Sequence, residues 1–478
     1  MRMTKRRRVY ETVRRLGVSR PCLLISNGDL VQETVDHTEK IVMRETVPLQ
    51  RIVILHSFDG RRGDLFRLNE LLKDKFGKSP AVTVQALAYK ILTRYLRKEM
   101  HGNVLPLLVS AIRQEEIARA AMGLAGIDLH IDKIRLFLKK VSGAKKHLFY
   151  PPFSENADRQ ENEFFKFYKA YEEILHQKHV FDYEDVIGHA FAALRDRPSL
   201  LEEFRFKYRY MIVYNYQQLT YAQKSLLALL TGQGKEIGFY AVGSDDYHLT
   251  DELHPWNGAL DDFRKDYPLG EIVIGDAMPH TTKQIASHAY SIIKNNNNRF
   301  PKNDEEFIKR LPDGENISAQ HYENAVSELK YILSEVRQLR EQGVPLEEVA
   351  LIFLNPKFIP VFARLLKELQ IQHSGHTRRA SRGSEEGIYL STIPTTQNQF
   401  FDYVFLIGLD ENIAGSEENG LNNIFSGMTR CRKKLFLTMA EQRSGRKMSK
   451  PHKEIKNLFK LMKDEVKTSN NDCGKVNI

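Results

Sequence analysis

Three stretches of the sequence join a short apolar run to a polar turn, the pattern by which a parallel sheet presents chemistry at the carboxyl ends of its strands. The first is Cys22 to Ser26 followed by Asn27-Gly28-Asp29-Leu30-Val31-Gln32-Glu33-Thr34. The second is Tyr210 to Val213 followed by Tyr214-Asn215-Tyr216-Gln217, and the third is Phe239 to Gly243 followed by Ser244-Asp245-Asp246-Tyr247. Hydrolysis of a nucleoside triphosphate at such tips needs a glycine turn, a lysine for the phosphates, a hydroxyl for magnesium, and carboxylates on a neighbouring strand. Gly28 and Thr34 have the right type, but Gln32 stands at the last glycine and Glu33 at the lysine. The second tip carries Tyr214 and Asn215 and no carboxylate. By itself GDLVQET reads as a plain strand-to-helix turn. Asp245 and Asp246, adjacent on a loop, read as a solvated turn and not as a metal site. The histidines show no ligand spacing.

The elements that would position these tips alternate in type. Apolar strands are predicted at Cys22–Ser26, Arg51–Leu55, Ala81–Val84, Tyr210–Val213 and Phe239–Gly243, with amphipathic helices at Val31–Arg44, Leu65–Phe76, Ala86–Lys98 and Tyr221–Leu230. This alternation implies a parallel sheet with helices on both faces. Between residues 99 and 200 strand signals vanish and helices are predicted at Leu107–Met122, Ile131–Val141, Glu161–His176 and Tyr183–Leu194, the signature of a helical insertion. A second alternation is expected to begin past Asp266, with a strand at Glu271–Ile274, helices at Thr282–Lys294 and Pro360–Leu369, one long helix over Ser318–Glu341, and strands at Val349–Leu354, Ile388–Ser391, Tyr403–Ile407 and Lys434–Leu437. The fold class expected is α/β, with two tandem RecA-like doubly wound parallel-sheet lobes and a helical insertion in the first. The expected division is a basic leader at 1–20, a first lobe at 21–98 and 183–268, an insertion at 99–182, and a second lobe at 269–373 and 387–440. A short loop at 374–386 and a basic C-terminal helix and tail at 441–478 complete it.

The net charge of +10 favours a polyanionic partner, most often nucleic acid, although a solvated basic face gives the same number. No apolar run approaches the roughly 18 residues of a membrane-spanning helix, and the basic N-terminus lacks the apolar core of a secretory signal. The scattered Cys22, Cys431 and Cys473 fit a reducing compartment, so a cytoplasmic protein without membrane partners is expected.

The order of segments resembles the UvrD/Rep-type superfamily 1 DNA helicases over about residues 20–440. RIVILHSFDGRR (Arg51–Arg62) is similar to the family's ILxLTFTNKAA segment, and TVQALAYKIL (Thr83–Leu92) to TFHSLAxxIL. FDYEDV (Phe181–Val186) resembles DFxDLL, VYNYQQLTYAQ (Val213–Gln223) resembles VDEFQDTNxAQ, and VGSDDY (Val242–Tyr247) resembles VGDDDQ. Trp256-Asn257-Gly258-Ala259 resembles WRGA, and LSTIPTTQNQFFDYVFLIGL (Leu390–Leu409) follows LxTIHxAKGLEFDVVFLIGL. Met428 to Leu437 resembles the ITRAxxxLxL that ends the second lobe.

The resemblance implies an ATP-dependent DNA helicase, but residue by residue the nucleotide side is eroded. Glu33 stands at the phosphate-binding lysine, Tyr214 and Asn215 at the magnesium aspartate and catalytic glutamate, and Tyr247 at the γ-phosphate-sensing glutamine. Asn257 replaces an arginine, and Gln397, Asn398 and Phe400 replace the lysine, glycine and glutamate of the KGLE segment. Gly28, Thr34, Gln217 and Arg430 remain of the vestigial nucleotide site. Loss of a single transition-state charge costs orders of magnitude in rate, so an inactive ATPase is expected, with no catalytic residue, and with ATP and magnesium as cofactors only if the degenerate site still binds them. On the nucleic-acid side the resemblance implies contacts from Ser57, Phe58, Thr83, Gln85 and Trp256, to which Arg61 and Arg62 would add phosphate contacts. Phe58 reads first as core and Arg430 as a structural interlobe salt-bridge cation, while Trp256 reads equally as an interface aromatic. The expected function is an ATPase-deficient accessory factor or subunit that binds single-stranded or junction DNA, with a protein partner supplying catalysis. The alternatives are a residual helicase and an interaction scaffold without nucleic acid.

Overall fold

The structure, a computed structural model, describes residues 20–26, 28–57, 62–99, 107–128, 130–151, 163–246, 260–275, 280–295, 299–375, 387–396, 399–409, 417–443, 446–447 and 453–462. The first lobe is built on β1 (Cys22–Ile25), β2 (Ile52–His56) and β3 (Ala81–Thr83), each followed by a helix: α1 (Leu30–Arg44), α2 (Arg62–Phe76) and α3 (Val84–Glu99). An insertion then runs through β4 (Leu107–Leu108), α4 (Ala111–Leu124), α5 (Ile131–Lys146), α6 (Glu163–Gln177) and β5 (Val180–Phe181). The lobe resumes with α7 (Asp185–Asp196), α8 (Pro198–Lys207), β6 (Tyr210–Tyr214), α9 (Tyr221–Thr231), β7 (Gly238–Gly243), α10 (Phe263–Asp266) and β8 (Glu271–Ile274).

The six strands form a parallel sheet in the order β3-β2-β6-β7-β1-β8. Side chains alternate between its faces as strand geometry requires. Leu23, Ile25, Met211, Val213, Phe239 and Ala241 enter one apolar cluster with α3, α7 and α9. Cys22, Leu24, Tyr210, Ile212, Tyr214, Tyr240 and Val242 enter the other, with α1 and α2. Both faces are therefore covered, which is why these strands read as continuous apolar runs. The helix α9 starts on a capping box, in which Thr220 and Gln223 satisfy each other's backbone donors, and stops at Gly232 in the left-handed region.

The insertion has its own apolar cluster, formed by α4, α5 and α6. Its neck is closed where β4 pairs in parallel with β5, a pairing that takes Leu107–Leu108 out of the helix predicted there. Beneath the neck the Lys145 ammonium sits between Glu172 at 2.7 Å, Asp182 at 2.7 Å and Asp185 at 2.6 Å. Burial alone would lower the Lys145 pKa, but the three carboxylates outweigh it and raise it well above the ordinary value. One cation thus ties α5 and α6 of the insertion to the FDYEDV turn that leads into the first lobe.

The second lobe contains α11 (Lys283–Ile293), α12 (Asp304–Ile308), β9 (Ser318–Asn324), α13 (Ala325–Glu341), β10 (Val349–Phe353), α14 (Ile359–Glu368), β11 (His373–Gly375), β12 (Ile388–Thr392), β13 (Phe401–Ile407), α15 (Glu417–Met428), β14 (Cys431–Arg443) and β15 (Arg446–Lys447). Its seven-stranded sheet runs β11-β12-β10-β13-β14-β15, with β9 also paired to β14. Every pairing is parallel except β14 with β15. A helix over residues 453–462 packs Ile455, Leu458, Phe459 and Met462 into this lobe's core.

Three expectations are corrected. The second lobe does not end at 440, because β14 runs to Arg443 and pairs with β15, and the helix over 453–462 packs into the lobe's core. Glu271–Ile274 does not open the second lobe: β8 pairs with β1 and forms an edge of the first sheet, so the first lobe extends beyond 268. Ser318–Asn324 is not helical but a strand beside β14, and the helix begins only at Ala325, capped by Asn324. The leader before Arg20, most of the 374–386 loop and the tail beyond 462 lie outside the described residues. Among the described residues no helix is long and apolar enough to cross a membrane.

Candidate functional site

The carboxyl tips of β1, β2, β6 and β7 meet above the first sheet, where the sequence-predicted nucleotide residues come together. After β1, the Gly28 N–H donates to Ser26 Oγ at 3.1 Å. Asp29 caps α1, its carboxylate accepting from the Gln32 N–H at 3.1 Å. Arg67 of α2 binds the same carboxylate through both terminal nitrogens. The positive end of a helix is a natural seat for phosphate. Here it already holds a carboxylate neutralised by a guanidinium, and Glu33 adds a second acid in the first turn. Thr34 is fully buried and donates its hydroxyl to Leu30 O at 2.7 Å.

At the β6 tip, Tyr214 is fully buried and its ring stacks on His56 of β2 at 5.1 Å. Asn215 follows in the left-handed region with φ 57° and ψ 53°, a conformation that asparagine tolerates better than most residues. It too is fully buried, and among the described residues neither polar atom of its carboxamide has a hydrogen-bond partner. Gln217 accepts from the Ser244 N–H at 3.2 Å, joining the β6 tip to the β7 tip. The contact explains Gly243, where a Cβ would lie 2.6 Å from Gln217 Oε1. Gln223 donates to Ser57 O at 2.9 Å and Ser57 Oγ lies 3.4 Å from Gln218 Oε1, which joins the β2 tip to the same network. Neutral amides thus link three strand tips.

Magnesium takes anionic oxygen ligands and a triphosphate takes cations. A phenol in the core, a carboxamide without a partner among the described residues, a fully buried hydroxyl and a helix end filled by carboxylate do not fit a magnesium-bound triphosphate.

Asp245 and Asp246, expected to be a solvated turn, are instead nearly fully buried and ion-paired. Lys302 contacts both, and Arg299 binds Asp246 through Nε and a terminal nitrogen. Burial alone would raise the Asp246 pKa, but Lys302 and Arg299 hold it well below the carboxylate range. Asp245 is pushed up by burial and by its acidic neighbour. The physical reason for the correction is distance along the chain: both cations come from beyond α11 and follow an asparagine run that reads as plain loop.

Of the nucleic-acid candidates, Thr83 caps α3 by accepting from the Ala86 N–H at 3.0 Å, and Gln85 donates to Tyr183 O. Arg62 begins α2, though its side chain is outside the described residues. Phe58, Arg61, Tyr247 and Trp256 also lie outside them. Arg430 in the second lobe is buried, donates to Ser426 Oγ at 3.0 Å, and lies over the Phe400 ring at 5.4 Å. Phe400 stands where the resemblance expects a glutamate, so the arginine meets a ring face there. Arg67, Lys145, Arg299 and Lys302 were not singled out from sequence. Apart from Asp304, five residues from Arg299, their acidic partners are distant in the sequence, so no local signal marks them.

Two doubly wound lobes with paired strand tips define a RecA-like two-lobed protein. Residues 65–248 match the family model described as the UvrD/REP helicase N-terminal domain. The chain is 25% identical over 257 residues to the ATP-dependent DNA helicase PcrA of Staphylococcus epidermidis, covering 52% of this chain and 33% of that protein. It is 23% identical over 302 residues to the putative ATP-dependent DNA helicase YjcD of Bacillus subtilis, covering 60% of this chain and 38% of that protein. These matches support the UvrD-type superfamily 1 helicase family for this chain. It spans about a third of the length of these curated relatives.

Proposed function

We propose that this chain is an ATPase-deficient member of its family, which binds single-stranded or junction DNA without a nucleotide cofactor and serves as an accessory factor or subunit in DNA repair, recombination or defence. The observation that carries the reading is the β6 tip. Tyr214 belongs to the apolar core and Asn215 carries no charge, so this strand brings no carboxylate to bind magnesium or activate water. The filled N-terminus of α1 points the same way.

Nucleic-acid binding is supported by the net charge of +10 and by relatives described as DNA helicases. Binding carried by Lys and Arg on phosphates releases counterions, so affinity must fall steeply with salt. A gel shift with single-stranded DNA between about 50 and 200 mM salt should show that slope. Trp256→Ala should weaken binding by about 5- to 160-fold, the equivalent of one lost stacking contact of about 1–3 kcal/mol. Absent or salt-independent binding removes the proposal.

A second reading, docking of a protein partner that carries the catalytic activity, is favoured by the insertion neck. There Leu107, Leu108 and Ile112 are exposed by 65%, 45% and 77%. Stable co-purification of a partner that is lost in Leu107→Asp/Ile112→Asp would support it.

A further inference from the structure

Arg299, Phe300 and Lys302 lie between α11 and α12, and both helices pack into the second-lobe core. The three residues reach back to the first lobe. Phe300 packs against the first-lobe cluster, and its backbone N–H donates to Asp245 Oδ2 at 2.7 Å. Lys302 contacts Asp245 and Asp246, and Arg299 binds Asp246 with one contact at 2.9 Å. Arg299 also binds Asp304 of α12 at 3.2 Å and lies over the Tyr290 ring of α11. One guanidinium therefore bridges a carboxylate from each lobe. The ionic side chains are dry: Arg299 is 8% exposed, Lys302 3%, and Asp245, Asp246 and Asp304 no more than 2%. Solvent ions do not screen such a contact as they would a surface pair.

The lobes are also joined covalently, where the chain leaves β8 and enters α11. Two bodies joined at one point keep three rotations, but two bodies joined at two points keep only the rotation about the line between them. We propose that the Arg299–Lys302 segment is an interlobe hinge pin, which fastens the second lobe to the β7 tip and confines relative motion of the lobes to one axis. The pin uses no nucleotide, so it orients the two halves of the cleft before any ligand arrives. It stands whether or not the chain binds DNA.

The test is a pair of interlobe distance distributions by pulsed electron resonance, on full-length protein with Cys473→Ser and spin labels at exposed positions. One pair is Met43→Cys with Lys367→Cys, the other Arg97→Cys with Gln338→Cys. Both distributions should be narrow in the otherwise native protein and at least twice as wide in Arg299→Met/Lys302→Met. Should that double variant not fold, Asp245→Asn, which keeps size and removes charge, should widen both to a smaller extent. Broad distributions in the otherwise native protein, or a folded variant as narrow as native, would overturn the pin.

Discussion

Restoring an acid at the β6 tip should break the fold before it restores any chemistry. Tyr214 is fully buried, its ring stacks on His56, and it shares a cluster with Ile54, Ile212 and Val242. Tyr214→Phe keeps the ring and should cost no more than about 1 kcal/mol, the net worth of one hydroxyl contact. Tyr214→Ala removes the ring and leaves a cavity, a change worth about 3–5 kcal/mol. Tyr214→Asp carries that same loss and must also bury a carboxyl group, which adds several kcal/mol or forces the group to stay protonated. A lobe of this size has only about 5–15 kcal/mol of stability to lose. The ordering Phe, Ala, Asp should therefore run from near-native to largely unfolded. Urea denaturation followed by far-ultraviolet circular dichroism reads the series, and phosphate release from ATP reads any recovered activity. The reasoning fails if Tyr214→Asp folds within about 1 kcal/mol of the native protein. It fails equally if Tyr214→Asp/Asn215→Glu hydrolyses ATP.

Three further outcomes follow from buried charge and close packing. Lys145→Met should cost about 3–5 kcal/mol in thermal or urea unfolding, because Glu172, Asp182 and Asp185 would be left together without their cation. Gly243→Ala should cost about 1–3 kcal/mol by displacing Gln217 from the Ser244 N–H, and Gly243→Ala/Gln217→Ala should recover part of it. His37 stacks on Tyr240 at 3.5 Å, and burial, aided by Lys40, lowers its pKa from 6.5 to about 3. The unfolded chain then binds a proton that the folded chain refuses, so stability falls as pH drops from about 6.5 toward 3 and is unaffected by this group above that window. His37→Phe should flatten that part of a stability-against-pH curve, and an unchanged slope would show that His37 is not its source.

The parts of the molecule legible in the sequence are those where local pattern and tertiary role agree. The β6–α9–β7 unit has apolar strands covered on both faces and a helix with a capping box, so each element carries its own signal. β9 does not. It is a half-exposed strand of composition SAQHYEN with no apolar alternation, and its neighbour β14 makes it a strand. β8 was legible as a strand but not in its sheet, because parallel pairing between Cys22 and Glu271 leaves no trace in either segment. In the candidate site, the loss of acid at Tyr214 and Asn215 was visible as residue type. Their burial, the capping carboxylate of Asp29 and its Arg67 partner were not. The largest difference lies at Asp245 and Asp246, since the cations that bury them are more than 50 residues away in sequence.

The central claim, that this scaffold engages nucleic acid without a nucleotide cycle, is tested most directly by one titration. Fluorescence anisotropy of labelled single-stranded DNA, at fixed salt and fixed free magnesium, with and without ATP, should give the same dissociation constant in both conditions. A shift in affinity on adding ATP at constant free magnesium would show that the site at Gly28 to Thr34 still binds nucleotide and is coupled to the DNA, and would contradict the account.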